Sequence, residues 1–238
     1  MDVSMIRLDK FLADMSIGTR ADVKKYIRQG KVQINNVVIK KPETKLDTTH
    51  DKVCLDGELI EYKTYEYYML NKPSGVVSAT KDAKDKTVLD LISDNKRKDL
   101  FPVGRLDKDT EGLILLTNNG DLAHKLLAPK NHVNKVYFAK IDGAVTEKDV
   151  ELFAEGLSIG GGDVAKPSKL EILSSSSISE IRLTIQEGQF HQVKRMFEAV
   201  GKKVIYLKRL SIGNLKLDEK LALGEYRSLT DEEIENLC

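Results

Sequence analysis

The apolar residues of the first part of the chain follow a helical spacing at first and an alternating spacing afterwards. Thr19 is placed to cap the second of two short amphipathic helices. Alternating segments at 32–34 and 37–39 are joined by Asn35 and Asn36, a pair typical of a tight hairpin turn. The apolar positions of the two helices are Leu8, Phe11, Leu12, Val23 and Ile27. The pattern predicts a small domain of helices and hairpins over residues 1–62.

From residue 63 to residue 238 the pattern alternates irregularly between strand-like and helix-like segments. A run of Leu and Ile at 113–116 is typical of a buried strand, and 191–200 carries an apolar face at helical spacing. Further strands are predicted at 65–70, 135–141 and 181–185, with a turn at 71–75. Hairpin signals without a fixed repeat favour an α+β fold with a mixed, largely antiparallel β-sheet flanked by helices, not a doubly wound parallel sheet.

The composition is that of a globular protein whose net charge does not identify its partner. Hydrophobic residues make up 41% of the chain, charged residues 32%, and the formal net charge is +1. Basic residues are concentrated locally, because residues 186–209 hold six Lys or Arg against two acids, and a second basic cluster lies between Arg20 and Lys45. Such patches fit RNA binding, and they also fit an ordinary solvated surface.

The cysteines and the apolar segments indicate the cellular compartment in which the protein is expected to work. Cys54 and Cys238 lie far apart in the sequence, which argues against a disulfide framework or a zinc site and favours a reducing cytoplasm. The N-terminus has no apolar signal core, and no run of about 18 apolar residues occurs, so no membrane-spanning helix is expected.

Three charged residues, Arg105, Asp107 and Asp109, precede the apolar strand at 113–116. A carboxylate at the edge of a core usually has a partner or a chemical task. Asp109 fits a structural turn that ends at Gly112, whereas Asp107 follows an apolar residue and is expected to point elsewhere. A metal site would need more hard ligands than this loop offers, and a glycosidase pair would need a second acid across a sugar.

Two further features suggest chemistry, and each has an ordinary structural alternative. His191 and Lys194 lie one helical turn apart beside Arg195, which indicates a solvated basic face or a helix start that binds phosphate or pairs with a carboxylate. Tyr137 lies in a predicted strand and, considered alone, would be a sheet-face aromatic. The sequence contains no phosphate-binding loop motif and no nucleophile elbow.

Together, three blocks of this chain resemble those of the RsuA-type pseudouridine synthases. The first reads Gly-Arg-Leu-Asp-Lys-Asp-Thr-Glu-Gly-Leu at 104–113 and continues at 115–120 as Leu-Leu-Thr-Asn-Asn-Gly. The others are Lys-Val-Tyr at 135–137 and Glu-Gly-Gln-Phe-His-Gln-Val-Lys-Arg-Met-Phe at 187–197. The N-terminal domain resembles the RNA-binding domain named after ribosomal protein S4. Its matching segments are 7–12, 19–20, 27–32 and 35–36. The resemblance covers essentially the whole chain.

The resemblance implies that the chain isomerises uridine to pseudouridine in RNA without a cofactor or a metal. Asp107 matches the essential aspartate of the family, which acts by nucleophilic attack or by proton abstraction from the sugar. Lys194 matches its basic partner, with Arg195 as the next candidate, and Tyr137 matches the tyrosine that stacks on the target uracil. By the same resemblance, Arg105 helps to flip the target base out of the RNA.

The same resemblance implies a set of RNA contacts and a partner. The N-terminal domain would contact phosphates, and the second domain would add contacts beside its pocket. These residues are Arg20, Lys24, Lys25 and Arg28 in the first domain and Arg105, His191 and Arg195 in the second. The expected partner is ribosomal RNA or a partly assembled ribosomal subunit. A monomer in the cytoplasm is expected.

The amino-acid sequence of the 190–195 segment is most similar to that of family members that act on small-subunit (16S) rRNA. The absence of a long basic tail after the last predicted strand points the same way. Three alternatives stay open: the same reaction on a large-subunit (23S) uridine, a non-catalytic ribosome-assembly factor with this fold, and carboxylate-based sugar hydrolysis. The last alternative would make Asp109 as important as Asp107.

Overall fold

A computed structural model of the protein describes residues 5–60, 62, 64–93, 97 and 99–237. These residues form two compact units: an N-terminal unit that extends to Glu66 and includes Ser93–Leu100, and a C-terminal unit made of Tyr67–Ile92 and the chain from Phe101 onward. The domain boundary predicted after residue 62 stays a prediction. Cys54 is half-buried and free, and Cys238 lies outside the described residues.

Within the described residues, the N-terminal unit contains two helices and six short strands. They are β1 (Met5–Arg7), α1 (Leu8–Asp14), α2 (Arg20–Arg28), β2 (Val32–Ile34), β3 (Val37–Ile39), β4 (Lys45–Asp47), β5 (Val53–Leu55) and β6 (Glu58–Ile60). Strands β3, β2, β5 and β6 form an antiparallel sheet in that order, and β1 pairs with β4. The helices and sheet enclose a core centred on Leu8, Phe11, Leu12, Val23, Ile27, Val32 and Leu46.

Local chemistry explains why these elements begin and end where they do. The hydroxyl of Thr19 accepts a hydrogen bond from the backbone N–H of Asp22, and the Asp22 carboxylate accepts one from the N–H of Thr19, which completes a capping box at the start of α2. Asn35 and Asn36 both adopt left-handed backbone angles, with φ of 51° and 67°. Asparagine tolerates this conformation better than most residues, so the predicted β2–β3 hairpin is confirmed.

The C-terminal unit contains the remaining helices and strands. They are β7 (Tyr67–Lys72), β8 (Phe101–Pro102), β9 (Glu111–Thr117), α3 (Gly120–Leu127), β10 (Lys135–Asp142), α4 (Glu147–Glu155), β11 (Leu157–Ser158), β12 (Val164–Ala165), β13 (Lys169–Ser174), β14 (Ile178–Ile185), α5 (Gln192–Ala199), β15 (Lys203–Ile212), β16 (Leu215–Lys216), β17 (Tyr226–Ser228) and α6 (Asp231–Glu235). Short 3-10 turns occur at Leu89–Leu91 and Pro129–Asn131.

One mixed sheet organises this unit, with the strand order β13-β14-β10-β15-β9-β7-β17. Adjacent strands of this sheet are antiparallel, except that β15 and β9 run parallel to each other. The predicted mixed, largely antiparallel α+β fold is therefore confirmed. Strand β9 is central, and Leu113 to Leu116 are fully buried, which explains why this strand is a continuous apolar run instead of an alternating one.

Strand β7 differs from its prediction in a way that matters for the site. It begins at Tyr67 and continues through Asn71 and Lys72, which were predicted to start a turn. Both polar side chains are buried but have partners, because Asn71 donates to the carbonyl of Leu221 and Lys72 donates to carbonyls of neighbouring loops. A buried polar group with hydrogen bonds is compatible with a strand interior. Within the described residues, no helix is long and apolar enough to cross a membrane.

Candidate active site

A pocket in the C-terminal unit lies where two loops meet the sheet. The first, here called the aspartate loop, comprises residues 103–110 before β9, and the second, the helix-entry loop, comprises residues 186–191 before α5. Strands β10 and β15 contribute apolar and aromatic side chains to the pocket. Five of the residues predicted from the sequence line it: Arg105, Asp107, Tyr137, His191 and Lys194. The fold thus brings together residues that are up to 89 positions apart, from 105 to 194.

The carboxylate of Asp107 faces two nitrogen-bearing side chains from the start of α5. Its Oδ2 lies 3.0 Å from Nζ of Lys194, and its Oδ1 lies 3.6 Å from Nε2 of His191. The side chain of Asp107 is 26% exposed and that of Lys194 is 21% exposed. The ion pair is therefore partly shielded from water, which makes it stronger than a surface pair while leaving the carboxylate reachable from the pocket.

Asp109 also takes part in this charge cluster, in addition to its position in the turn. Nζ of Lys194 lies 2.7 Å from Oδ1 of Asp109, so one ammonium bridges two carboxylates. Burial acts to lower the pKa of Lys194, but the hydrogen bonds that its ammonium donates to Asp109 and Asp107 outweigh it, and the pKa is raised. Burial likewise acts to raise the pKa of Asp109, and its hydrogen bond with Lys194 reverses this, so that the pKa is lowered. Lys194 therefore stays charged at neutral pH.

Tyr137 forms the aromatic wall of the pocket. It lies on β10, whose inward positions alternate, and it pairs across the sheet with Leu183 on β14 and Arg209 on β15. Tyr137 is only 7% exposed. The apolar side chains of Ile185 and Leu207 line the same cavity. This arrangement holds the ring rigidly and offers a flat surface on which a base could stack.

The aspartate loop is held in place by short-range and long-range hydrogen bonds. The hydroxyl of Ser78 accepts from the N–H of Leu106 at 3.0 Å and donates to its carbonyl at 2.9 Å. The N–H of Thr110 donates to the carbonyl of Asp107 at 3.1 Å, which closes the turn. The N–H of Gly75 donates to the carbonyl of Lys108 at 2.8 Å. The backbone that presents Asp107 is therefore constrained at several points.

A buried lysine beneath the loop was not predicted as a functional residue. Nζ of Lys72 donates to the carbonyls of Pro73, Lys108 and Thr110 at 3.1, 3.2 and 2.7 Å, and the residue is fully buried. Burial lowers the pKa of Lys72 to about 8, although nearby carboxylates, Asp109 first, oppose this shift. The signal in the sequence was a lysine and a proline directly after an apolar strand, which also fits a turn.

The helix-entry loop is stabilised by a glutamine that was also not predicted. The side-chain amide of Gln192, which is buried, donates to Glu187 at 2.6 Å and accepts from the N–H of Gln189 at 2.9 Å. His191 precedes α5 with a left-handed backbone, at φ 49°. These contacts fix how α5 begins and hence where Lys194 points.

Arg195 does not line the pocket, unlike its neighbour Lys194. Its guanidinium donates to the carbonyls of Ile159 and Phe190 at 3.0 and 3.3 Å and forms an ion pair with Asp163 at 2.9 Å. Adjacent residues on a helix point about 100° apart, so the two side chains diverge. Arg195 is therefore occupied by loop contacts in the structure, and its predicted contact with RNA stays a prediction.

The remaining predicted RNA contacts lie on exposed surfaces. Arg105 is exposed at the edge of the pocket. Helix α2 of the N-terminal unit carries the other four, with Arg20, Lys25 and Arg28 exposed and Lys24 half-buried. Within the described residues, no group of three or more His, Cys, Asp or Glu side chains is arranged to hold a metal ion.

Comparisons with known proteins match both units. A family model described as RNA pseudouridylate synthase matches residues 66–199, and an S4 domain model matches residues 6–53. The chain is 46% identical over 231 residues to the uncharacterized RNA pseudouridine synthase YtzG of Bacillus subtilis, covering 96% of this chain and 97% of that protein. It is 40% identical over 231 residues to ribosomal small subunit pseudouridine synthase A of Escherichia coli K12, covering 96% and 98%. A crystal structure of a pseudouridylate synthase superposes with a TM-score of 0.69 at 40% identity, covering 98% of this chain and all of the other.

Proposed function

This chain belongs to the RNA pseudouridylate synthase family, and on that premise we propose that it isomerises a uridine to pseudouridine in small-subunit (16S) ribosomal RNA. The observation that carries the proposal is one pocket lined by Asp107, Tyr137 and Lys194, in which the carboxylate is paired with the ammonium at 3.0 Å. Similarity along nearly the whole chain to ribosomal small subunit pseudouridine synthase A supports the choice of RNA.

We assign the central step to the carboxylate of Asp107. It acts on the target nucleotide while the glycosidic bond between the ribose and a ring nitrogen of uracil breaks. The uracil then rotates and reattaches through a ring carbon, this carbon loses its proton, and the released ring nitrogen takes up a proton, so that the overall change is an isomerisation. Attack on the nucleotide and abstraction of a sugar proton both require the ionised carboxylate. The ammonium of Lys194 stabilises that charged form through the 3.0 Å ion pair in a partly shielded site.

Tyr137 is assigned to hold the target base. Tyr137 is only 7% exposed and lines the same pocket as Asp107. Stacking of a base on an aromatic side chain contributes roughly 1–3 kcal/mol, which would hold the uracil while it is detached from its ribose. We therefore expect Tyr137→Phe to retain substrate binding and Tyr137→Leu to weaken it, as measured by the KM of each variant.

Arg105 and helix α2 are assigned to the RNA. Arg105 is exposed at the edge of the pocket, where a long cationic side chain can take the place of the extruded base. The basic residues of α2 would contact phosphates and contribute affinity that falls with salt but carries little sequence information. The substrate is ribosomal RNA, free or in a partly assembled subunit. We also propose a monomer that works in the cytoplasm, and light scattering tests the first of these.

The test is to incubate the purified protein with 16S and 23S rRNA transcripts and with assembly intermediates, and then to map pseudouridine by chemical modification and primer extension. We expect one site in 16S rRNA with the wild-type protein and none with Asp107→Asn, which preserves the shape of the side chain but removes its charge. A strain that lacks the gene should lose the same site. Modification of 23S rRNA alone would show that the substrate is large-subunit rRNA instead. Full activity of Asp107→Asn would refute the assigned chemistry.

A further inference from the structure

Phe190 lies at the edge of the pocket and has no part in the chemistry proposed above. It is 69% exposed, the largest exposed fraction among the large apolar side chains of the described residues. Gln189 and His191, its neighbours on either side, both line the pocket. A single exposed apolar side chain is common and means little by itself. The surroundings of Phe190 are what give its position a functional meaning.

The ring of Phe190 is stacked on the imidazole of His191. The ring centroids are 3.8 Å apart and the planes are 19° from parallel. Because His191 covers one face of the phenyl ring, the large exposed fraction of Phe190 comes from its edge and its opposite face. The stacked pair therefore presents a flat aromatic surface next to the cavity that holds Asp107.

The backbone beneath this surface is held on both sides. Arg195 donates to the carbonyl of Phe190 at 3.3 Å and is itself anchored on the carbonyl of Ile159 at 3.0 Å. The N–H of Gln189 donates to the side chain of Gln192 at 2.9 Å. Such fixation lowers the conformational entropy that this segment would otherwise lose when a ligand binds, so the segment is preorganised for contact.

We propose that Phe190 and His191 form a stacking platform for the RNA base adjacent to the target uridine, an inference that rests on the proposed function. When the target base is extruded, its neighbour loses a stacking partner, which is unfavourable. An aromatic ring at the edge of the pocket replaces that partner. Stacking of this kind tolerates any base, because every base has a π-face. The platform therefore contributes binding and placement, and Asp107 contributes the chemistry.

The first experiment compares the kinetics of Phe190→Leu and Phe190→Tyr on 16S rRNA. Leucine keeps the apolar volume but removes the ring, so we expect KM to rise by about 5- to 150-fold, with a much smaller change in the rate at saturating RNA. Tyrosine keeps the ring and should behave like the wild type. Leu173→Ala is the control, because Leu173 is also an exposed apolar side chain, 48% exposed on β13. Circular dichroism verifies that each variant is folded.

The second experiment observes the stacking directly and does not depend on turnover. A short single-stranded uridine RNA carrying one 2-aminopurine is bound to Asp107→Asn, with and without Phe190→Leu, and binding is followed separately by anisotropy. We expect 2-aminopurine fluorescence to be quenched on binding when Phe190 is present and to stay bright in the double variant at saturation. Equal quenching in both proteins, or an unchanged KM for Phe190→Leu, overturns the platform while leaving the proposed function intact. If quenching depends on Phe190 but the wild-type protein modifies no rRNA, base stacking by Phe190 is upheld and the proposed function is refuted.

Discussion

Replacing Lys72 by methionine tests the role of the buried ammonium under the aspartate loop. Lysine and methionine have similar lengths, so the change removes a charge and three hydrogen bonds without opening a large cavity. In the native protein, Nζ of Lys72 holds the carbonyls of Pro73, Lys108 and Thr110. These bonds stabilise the loop, while the burial of the charge opposes stability.

The pKa of Lys72 determines how these two effects change with pH. It lies at about 8 in the folded protein, compared with an ordinary value of 10.5. Below pH 8 both the folded and the unfolded chain hold the proton, and the cost of the buried charge is present in full. Between these two values the folded protein has released the proton while the unfolded chain still holds it. The free energy of unfolding therefore rises with pH across this window, by about 1.4 kcal/mol per pH unit.

The measurement is urea unfolding of the wild type and Lys72→Met, at about pH 7 and about pH 10, where this contribution differs by about 2–3 kcal/mol. Because the chain has no tryptophan, far-UV circular dichroism is the suitable probe. Other groups also titrate, but they are common to both proteins and cancel when the two are compared. We expect the free energy of unfolding of the wild type, relative to that of Lys72→Met, to be larger by that amount at the higher pH. Lys148→Met, at an exposed position in α4, is the control and should show no such gain. A pH-independent difference between the wild type and Lys72→Met would refute the assignment of a charged, buried ammonium.

Asp109 in the aspartate loop and Gly112 in β9 provide two further tests. Asp109→Asn should lower the rate by less than about tenfold, because this largely exposed carboxylate acts through Lys194. Asp107→Asn should lower the rate by about 10²–10⁴-fold. Single-turnover rates measure both effects, and equal losses would favour a reaction that uses two carboxylates. Gly112→Ala should destabilise the protein by at least about 2 kcal/mol, because a Cβ at φ +100° would lie 2.3 Å from a backbone oxygen of β15. Gly120→Ala, where a Cβ meets no atom within 4 Å, is the control in the same unfolding measurement and should differ little from the wild type.

Local sequence signals predicted the elements whose causes are local. The Thr19 cap and the Asn35-Asn36 turn depend on residues within a few positions of each other, and both occur in the structure as predicted. The apolar run at 113–116 was long and unbroken enough to identify a central strand. The predicted end of β7 was wrong by two residues, because Asn71 and Lys72 look like turn residues when their distant partners are unknown.

The candidate site likewise combines residues that the sequence identified with contacts that only the structure shows. Motif resemblance identified Asp107, Tyr137 and Lys194, and the structure brings all three to one pocket. The resemblance named Lys194 as the basic partner of Asp107 and Arg195 as the next candidate, and only the structure shows where these adjacent side chains point. The rotation of about 100° per residue along α5 sends one toward Asp107 and the other toward the loop at Ile159.

What the sequence alone determined, therefore, is the position of several helices and strands, the α+β class and the residues that carry the family motifs, because these depend on neighbouring residues or on matching segments. Tertiary structure decided that Lys72 lies under the aspartate loop, that Asp109 shares Lys194 with Asp107, and that Phe190 is held beside the pocket. Ion pairs and hydrogen bonds between residues far apart in the sequence, such as 107 and 194, which are 87 positions apart, exist only after the sheet has formed. Burial and the resulting pKa of Lys72 likewise arise only in the folded chain.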